Sequence, residues 1–233
     1  MSAALLTAAL IQLPGEALPP LPQTLAKVTP GVLFEDTPVR RALRRVAASN
    51  DAAIVFARGL DPTTPVALDL TNATVGEALA EIAGQGGAGA VALGGAVFVA
   101  PPSVCTAALE LTEARRKELR PARGVRRATR ERALRQQNVT WDDLTTPRAI
   151  LDDLAGRFVL TVENADAIPH DLWPAGRLPT ADAPAALGAV LAPCELTFVW
   201  SDDRTSIRIE PAPVRAVAQP PDLTTFAART AVG

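Results

Sequence analysis

Two small α+β domains in tandem, each ordered β-α-β-β-α-β-β and joined by a helical linker, are the fold this sequence predicts. Three observations predict it. Apolar residues recur at helical and at strand spacing, in the same order, twice along the chain. Helix-start and turn signals fall between those segments where such an order needs them. The two runs also keep register: Thr37 corresponds to Thr146, Leu79 to Leu187 and Pro101 to Pro211, offsets of 109, 108 and 110 residues. Two unrelated α+β segments of similar length would leave that constancy without a cause.

The first unit spans 32–102. Val32 to Glu35 is its opening strand. Val39, Ala42, Leu43, Val46 and Ala47 then share one helical face, with Arg40, Arg41, Arg44 and Arg45 opposite. Asp36 or Thr37 is placed to cap this helix, and Pro38 suits its first position. Ala53 to Phe56 reads as a short buried strand. Val66, Leu68 and Leu70 alternate with small or polar residues, as a half-buried strand does. Thr74 and Glu77 have the spacing of a capping box. Val75, Ala78, Leu79, Ile82 and Ala83 form the stripe of the helix that follows, and Gly84-Gln85-Gly86-Gly87 stops it. Val91 and Leu93, then Val97 and Val99, form a hairpin turned at Gly94-Gly95.

The second unit spans 138–213. Asn138 to Trp141 opens it, and Thr146-Pro147 starts a helix with Ile150, Leu151, Leu154 and Ala155 on one face. Val159 to Val162 reads as a strand. Asp182 is placed to cap a helix carrying Ala183, Ala186, Leu187, Val190 and Leu191. Leu196, Phe198 and Trp200, then Ile207 and Ile209, close it. The middle strand is expected to be replaced by a long segment, Ala165 to Pro179.

The first unit resembles the short N-terminal domain of secretins and TonB-dependent receptors, the STN domain. Phe34, Ala42-Leu43, Ile54-Val55-Phe56, Val66-x-Leu68, Gly76-Glu77-Ala78-Leu79 and Val97-Phe98-Val99 carry the likeness, over about 70 residues. The second unit fits the same plan less well. The resemblance implies a periplasmic setting in the cell envelope and contacts with other proteins. The chain is expected to have no room for a secretin or receptor barrel, so only the protein-contact role carries over.

Residues 1–31 read as a tail or degenerate signal segment, apolar from Ser2 to Leu13 and Pro-rich and linker-like from Leu18 to Pro30. Residues 103–137 read as a basic helical linker broken at Pro121 and Gly124, and 214–233 as a mobile tail. The charge is uneven. Ten basic and three acidic residues lie between Glu113 and Arg135, leaving about −9 for the remainder of a chain whose net charge is −2. Arg126, Arg127 and Arg130 are the anion-binding candidates there, for nucleic acid or anionic lipid, against a solvated linker helix. No aromatic residue interleaves these arginines, so base stacking has no platform.

Nothing in the sequence assembles a catalytic or metal site, and no cofactor is expected. His170 is the only histidine, with Asp171 adjacent, too close to orient it from behind in a triad. The paired acids Asp142-Asp143, Asp152-Asp153 and Asp202-Asp203 are not set against one another. Gly84 to Gly87 precedes a strand, unlike the Gly-x-x-Gly clamp that lies between helices. Cys105 and Cys194, 89 residues apart, allow one bridge or two free thiols. The expected role is therefore non-enzymatic: an envelope module whose open sheet edges, Val66–Leu70 and Val97–Val99, add a partner strand. His170, Asp171 and Trp173 form a secondary contact tip, with core filling as the alternative for Trp173. A cytoplasmic nucleic-acid-associated protein acting through the Arg-rich linker is the competing expectation.

Overall fold

The computed structural model describes residues 20–120, 126–212 and 223, and it is mixed α+β. In chain order, α1 (Leu21–Ala26) leads to β1 (Val32–Pro38), α2 (Val39–Ser49), β2 (Ile54–Phe56), β3 (Pro65–Leu70), α3 (Val75–Gln85), β4 (Gly89–Leu93) and β5 (Ala96–Ala100). Then come α4 (Pro102–Glu118), α5 (Arg127–Leu134), β6 (Gln137–Trp141), α6 (Pro147–Phe158), β7 (Thr161–Glu163), β8 (Gly176–Ala181), α7 (Ala183–Leu191), β9 (Leu196–Trp200) and β10 (Ser206–Pro211).

One strand pattern occurs twice. β1 pairs antiparallel with β3 as a two-stranded ribbon, and β6 pairs with β8 in the same way. β2 lies parallel to β5, which is antiparallel to β4. Likewise β7 lies parallel to β10, which is antiparallel to β9. The sheet orders are β2-β5-β4 and β7-β10-β9.

Local sequence fixes most boundaries. The α3 capping box forms in full, with Thr74 Oγ1 accepting from the Glu77 amide and Glu77 Oε2 accepting from the Thr74 amide. Thr146 Oγ1 accepts from the Ala149 amide at the start of α6, and Asp182 Oδ1 from the Ala185 amide at the start of α7. Gly94 and Gly95, at φ +58° and +78°, turn the β4–β5 hairpin as a two-residue loop with both central residues left-handed.

The start of α2 differs from expectation. β1 continues through Pro38, with its register broken between Phe34 and Thr37 where Asp36 takes φ +46°, so neither Asp36 nor Thr37 caps the helix. The Val39 amide donates instead to the Thr64 carbonyl across the ribbon. α6 runs to Phe158, and Val159 ends it in a left-handed conformation at φ +54°, so β7 begins only at Thr161. The middle strand of the second repeat is present after all, as β8. Its Gly-Arg-Leu-Pro-Thr-Ala sequence hides the alternation because only Leu178 and Ala181 are apolar and buried.

The Pro-rich segment after Pro20 is not a free linker. α1 places Leu25 fully buried against α3, where its carbonyl lies 3.4 Å from where a Gly76 Cβ would stand. Residues 1–19, 121–125, 213–222 and 224–233 lie outside the described part, and with them the signal-segment reading, the Pro121–Gly124 break and most of the tail. Leu223, the one tail residue described, is buried in the first core rather than solvated.

Two apolar clusters share the central sheet. Val97 and Val99 of β5 face Leu43, Leu79 and Ile82 of α2 and α3. Val55, Phe98 and Ala100 belong to the other cluster, with Cys105 and Ala108 of α4 and the second repeat's Leu154, Leu187 and Phe198. The β2-β5-β4 sheet is therefore covered on both faces, which explains why every residue of β5 is buried.

α4 is correspondingly not a solvated linker. It packs on α7 so closely that a Cβ on Gly188 would stand 2.7 Å from Thr112 Oγ1. Arg116 holds Asp182, the α7 cap, through Nε at 2.8 Å and Nη2 at 3.1 Å. The Trp200 indole donates to the Arg115 carbonyl at 3.2 Å.

Candidate functional site

The partner-strand candidates separate on this topology. β5 is a central strand, and Val97 and Val99 are fully buried, so the expected Val97–Val99 edge does not exist. Among the described residues β3 pairs only with β1, and no strand lies at its other edge. The side chains of Val66 and Leu68 point into the core, leaving Pro65, Ala67 and Asp69 exposed and Leu70 half-buried. The Ala67 amide donates to the exposed Gln85 side chain at 3.2 Å rather than to β1. Strand alternation puts the Asp69 amide on that same side. β8, the equivalent strand in the second repeat, is not free: its Thr180 amide donates to the Gly94 carbonyl of the first repeat at 3.0 Å.

The expected contact tip divides as well. His170 is exposed. Trp173 is 4% exposed and belongs to the core, so it is no surface anchor. Its loop is pinned at three points. The Trp173 amide donates to the Thr145 carbonyl, the Trp141 indole to the Pro174 carbonyl at 2.9 Å, and the Ala175 amide to Asp143 Oδ1. Gly176 fits flat against the Trp141 ring, where a Cβ would come within 2.2 Å of the indole.

This loop meets the first repeat across a cleft of about 410 Å³. Val39, Arg40 and Leu43 of α2 form one wall, and Phe56 to Leu60 another. Asp171 and Trp173 close it from the second repeat. Arg40 and Arg44 lie over the Phe56 ring, 5.1 and 5.6 Å from its centre. Arg58 pairs with Asp171 at 2.9 Å. With side chains 48% and 32% exposed, that pair is a weak tie, about 0–1 kcal/mol. Burial lowers the Arg40 pKa, with Arg44 adding to the effect and Asp143 opposing it. The sequence pointed to Asp171 and Trp173 but not to Arg40 or Arg58. Arg40 sits on what reads as the solvent face of an amphipathic helix, and no pattern within one repeat marks a wall that only the other repeat completes.

Three of the basic block's ten cations are ion-paired among the described residues. Arg115 pairs with Glu118, Arg116 with Glu113 and Asp182, and Arg127 with Glu131. Arg126 is exposed at the start of α5 and Arg130 is half-buried.

Cys105 and Cys194 are free thiols. Burial pushes Cys105 up to about 12, and its thiol donates to the Ala100 carbonyl. Burial pushes Cys194 up to about 11, against the pull of Arg58. Both are therefore protonated and poorly nucleophilic near neutral pH. Below the ordinary value of 9.0 the folded and unfolded thiols are alike. Above it the unfolded thiols ionise first, so stability is expected to fall as pH rises from 9 through 11 and 12. Denaturant unfolding at about pH 8 and about pH 10.5 checks this, and a Cys105→Ala, Cys194→Ala variant should lose most of the difference. The chain has no tyrosine to titrate in that window.

Among the described residues, no group of three or more His, Cys, Asp or Glu side chains comes together as a metal site, and no helix is long and apolar enough to cross a membrane. Comparison with protein families, curated proteins and solved structures finds no match to this chain.

Proposed function

We propose that this protein is a non-enzymatic protein-interaction module of the bacterial cell envelope, built from two STN-like α+β repeats, and that it takes up a partner strand at the open edge of β3. The observation that carries this reading is the repeated strand pattern with one ribbon edge left open. In the second repeat that edge meets the Gly94 carbonyl of the first; in the first repeat, among the described residues, the exposed Gln85 side chain meets it. An added strand would displace Gln85 and gain main-chain hydrogen bonds, while Pro65, Ala67 and Asp69 present the outward side chains. Binding of nucleic acid through Arg126, Arg127 and Arg130 is the weaker reading, because Glu131 already pairs with Arg127.

Photo-crosslinking from position 67 in cells, followed by fractionation, tests the proposal. A crosslinked protein partner in the envelope fraction is expected, and Asp69→Pro should remove it by deleting an outward amide while leaving the far-ultraviolet spectrum unchanged. Cytosolic protein that crosslinks nothing from β3, yet is retained on nucleic acid in a salt-dependent way, would overturn it.

A further inference from the structure

The cleft between the repeats holds donors that its own residues leave unanswered. Trp173 Nε1, Arg40 Nε and one acceptor, Asp171 Oδ2, are buried and have no hydrogen-bond partner among the described residues, but Asp171 Oδ2 lies 2.9 Å from the Arg58 cation. Indole and guanidinium groups only donate, so a complement must bring acceptors. Charge points the same way. Arg58 is met by Asp171, whereas no carboxylate lies within ion-pair distance of Arg40 among the described residues. Asp143 acts on Arg40 only at longer range, and Arg44 adds a second cation nearby. Two lining arginines against one lining carboxylate leave a single net positive charge. The remaining walls are apolar, with Val39, Leu43, Phe56 and Leu60. The volume of about 410 Å³ is that of a small-ligand pocket.

We propose that this cleft binds a small monocarboxylate with an apolar body, an aromatic or short-chain aliphatic acid. Its carboxylate takes hydrogen bonds from Arg40 and the Trp173 indole, and its body lies along Val39, Leu43 and Leu60. A phosphate dianion would exceed the cleft's single net charge and leave the apolar walls uncovered. A neutral apolar molecule would leave both donors unmet. This inference does not depend on the partner-strand reading, which concerns β3, none of whose residues line the cleft.

The test uses the full chain labelled with nitrogen-15. Its three tryptophans give three indole signals, and that of Trp173 is the one lost in Trp173→Phe. The probes are benzoate and hexanoate, with benzyl alcohol and inorganic phosphate for comparison. The Trp173 indole signal is expected to move saturably with the acids while that of Trp200 stays in place. Benzyl alcohol should bind about tenfold more weakly, and Arg40→Gln should weaken benzoate about tenfold. No movement of the Trp173 signal with either acid up to about 10 mM would overturn the proposal. So would equal binding of benzyl alcohol, tighter binding of phosphate, or undiminished binding by a folded Arg40→Gln protein. If Arg40→Gln does not fold, the comparison of charged with neutral probes on the unaltered chain decides.

Discussion

Phe98→Ala is expected to lower the free energy of unfolding by about 3–5 kcal/mol. Phe98 is fully exposed to neither water nor loop. It lies at the centre of β5, 0% accessible, on the sheet face that meets α4 and the second repeat. Removing its ring deletes apolar burial and leaves a cavity, and close-packed strands on both sides limit how far the site can collapse. The location makes the variant informative beyond its magnitude. Trp141, Trp173 and Trp200 all lie in the second repeat. If the shared core couples the repeats, Phe98→Ala should shift the tryptophan-detected and the circular-dichroism transitions together to lower denaturant. A fluorescence transition that stays in place while the dichroism transition splits would show that the repeats unfold separately, and the coupled core would be wrong.

Gly95→Ala is expected to cost about 2–4 kcal/mol, a large effect for one added methyl group. Two causes act at once. The residue sits at φ +78°, where an L side chain is strained, and the new Cβ would lie 2.3 Å from Thr180 Oγ1 and 2.9 Å from the Thr180 backbone nitrogen. A backbone neighbour cannot swing aside as a flexible side chain can. The hairpin must therefore retreat from β8, breaking the Thr180-to-Gly94 hydrogen bond that ties the repeats. Gly84→Ala is the control. Gly84 lies within α3 with nothing within 4 Å of a new Cβ, so that change should be neutral or stabilise by about 0.5–1 kcal/mol. Equal midpoints for the two variants would remove the argument.

The two hairpin turns differ in chemistry at this junction. The first hairpin docks on β8 because Gly94 and Gly95 let two backbones approach. The corresponding turn of the second repeat is Ser201-Asp202-Asp203-Arg204-Thr205, with no glycine. Its Asp203 is tied to the Thr205 and Ser201 hydroxyls, which hold its carboxyl down at about 2. That turn carries side chains where the first carries none, so it cannot make the same approach to another copy's β3.

Short-range chemistry in the sequence determined the elements and their order. The Thr74–Glu77 capping box, the Thr146 and Asp182 caps, the Gly94-Gly95 turn and the apolar stripes of α3 and α7 depend on residues within a few positions of one another, so each is visible in one dimension. The Thr37–Thr146 correspondence counts elements rather than contacts, and it is inexact: Thr146 caps α6, whereas Thr37 lies within β1 opposite Val66. What only the tertiary structure decided was which faces meet. Val97 and Val99 look like an edge in the sequence because alternation does not tell a central strand from an outer one, and β2 reaches β5 across 39 intervening residues. α4 looks like part of a charged linker because the basic block begins in its last turn with Arg115, Arg116 and Lys117, yet Cys105, Ala108 and Thr112 supply a narrow face small enough for α7 to approach. β8 was obscured by Gly176 and Pro179, residues that weaken a strand locally and are tolerated because β6 supplies the pairing. The cleft was the least legible of all. Its two walls come from different repeats, and a site formed by long-range packing leaves no periodic trace in either one.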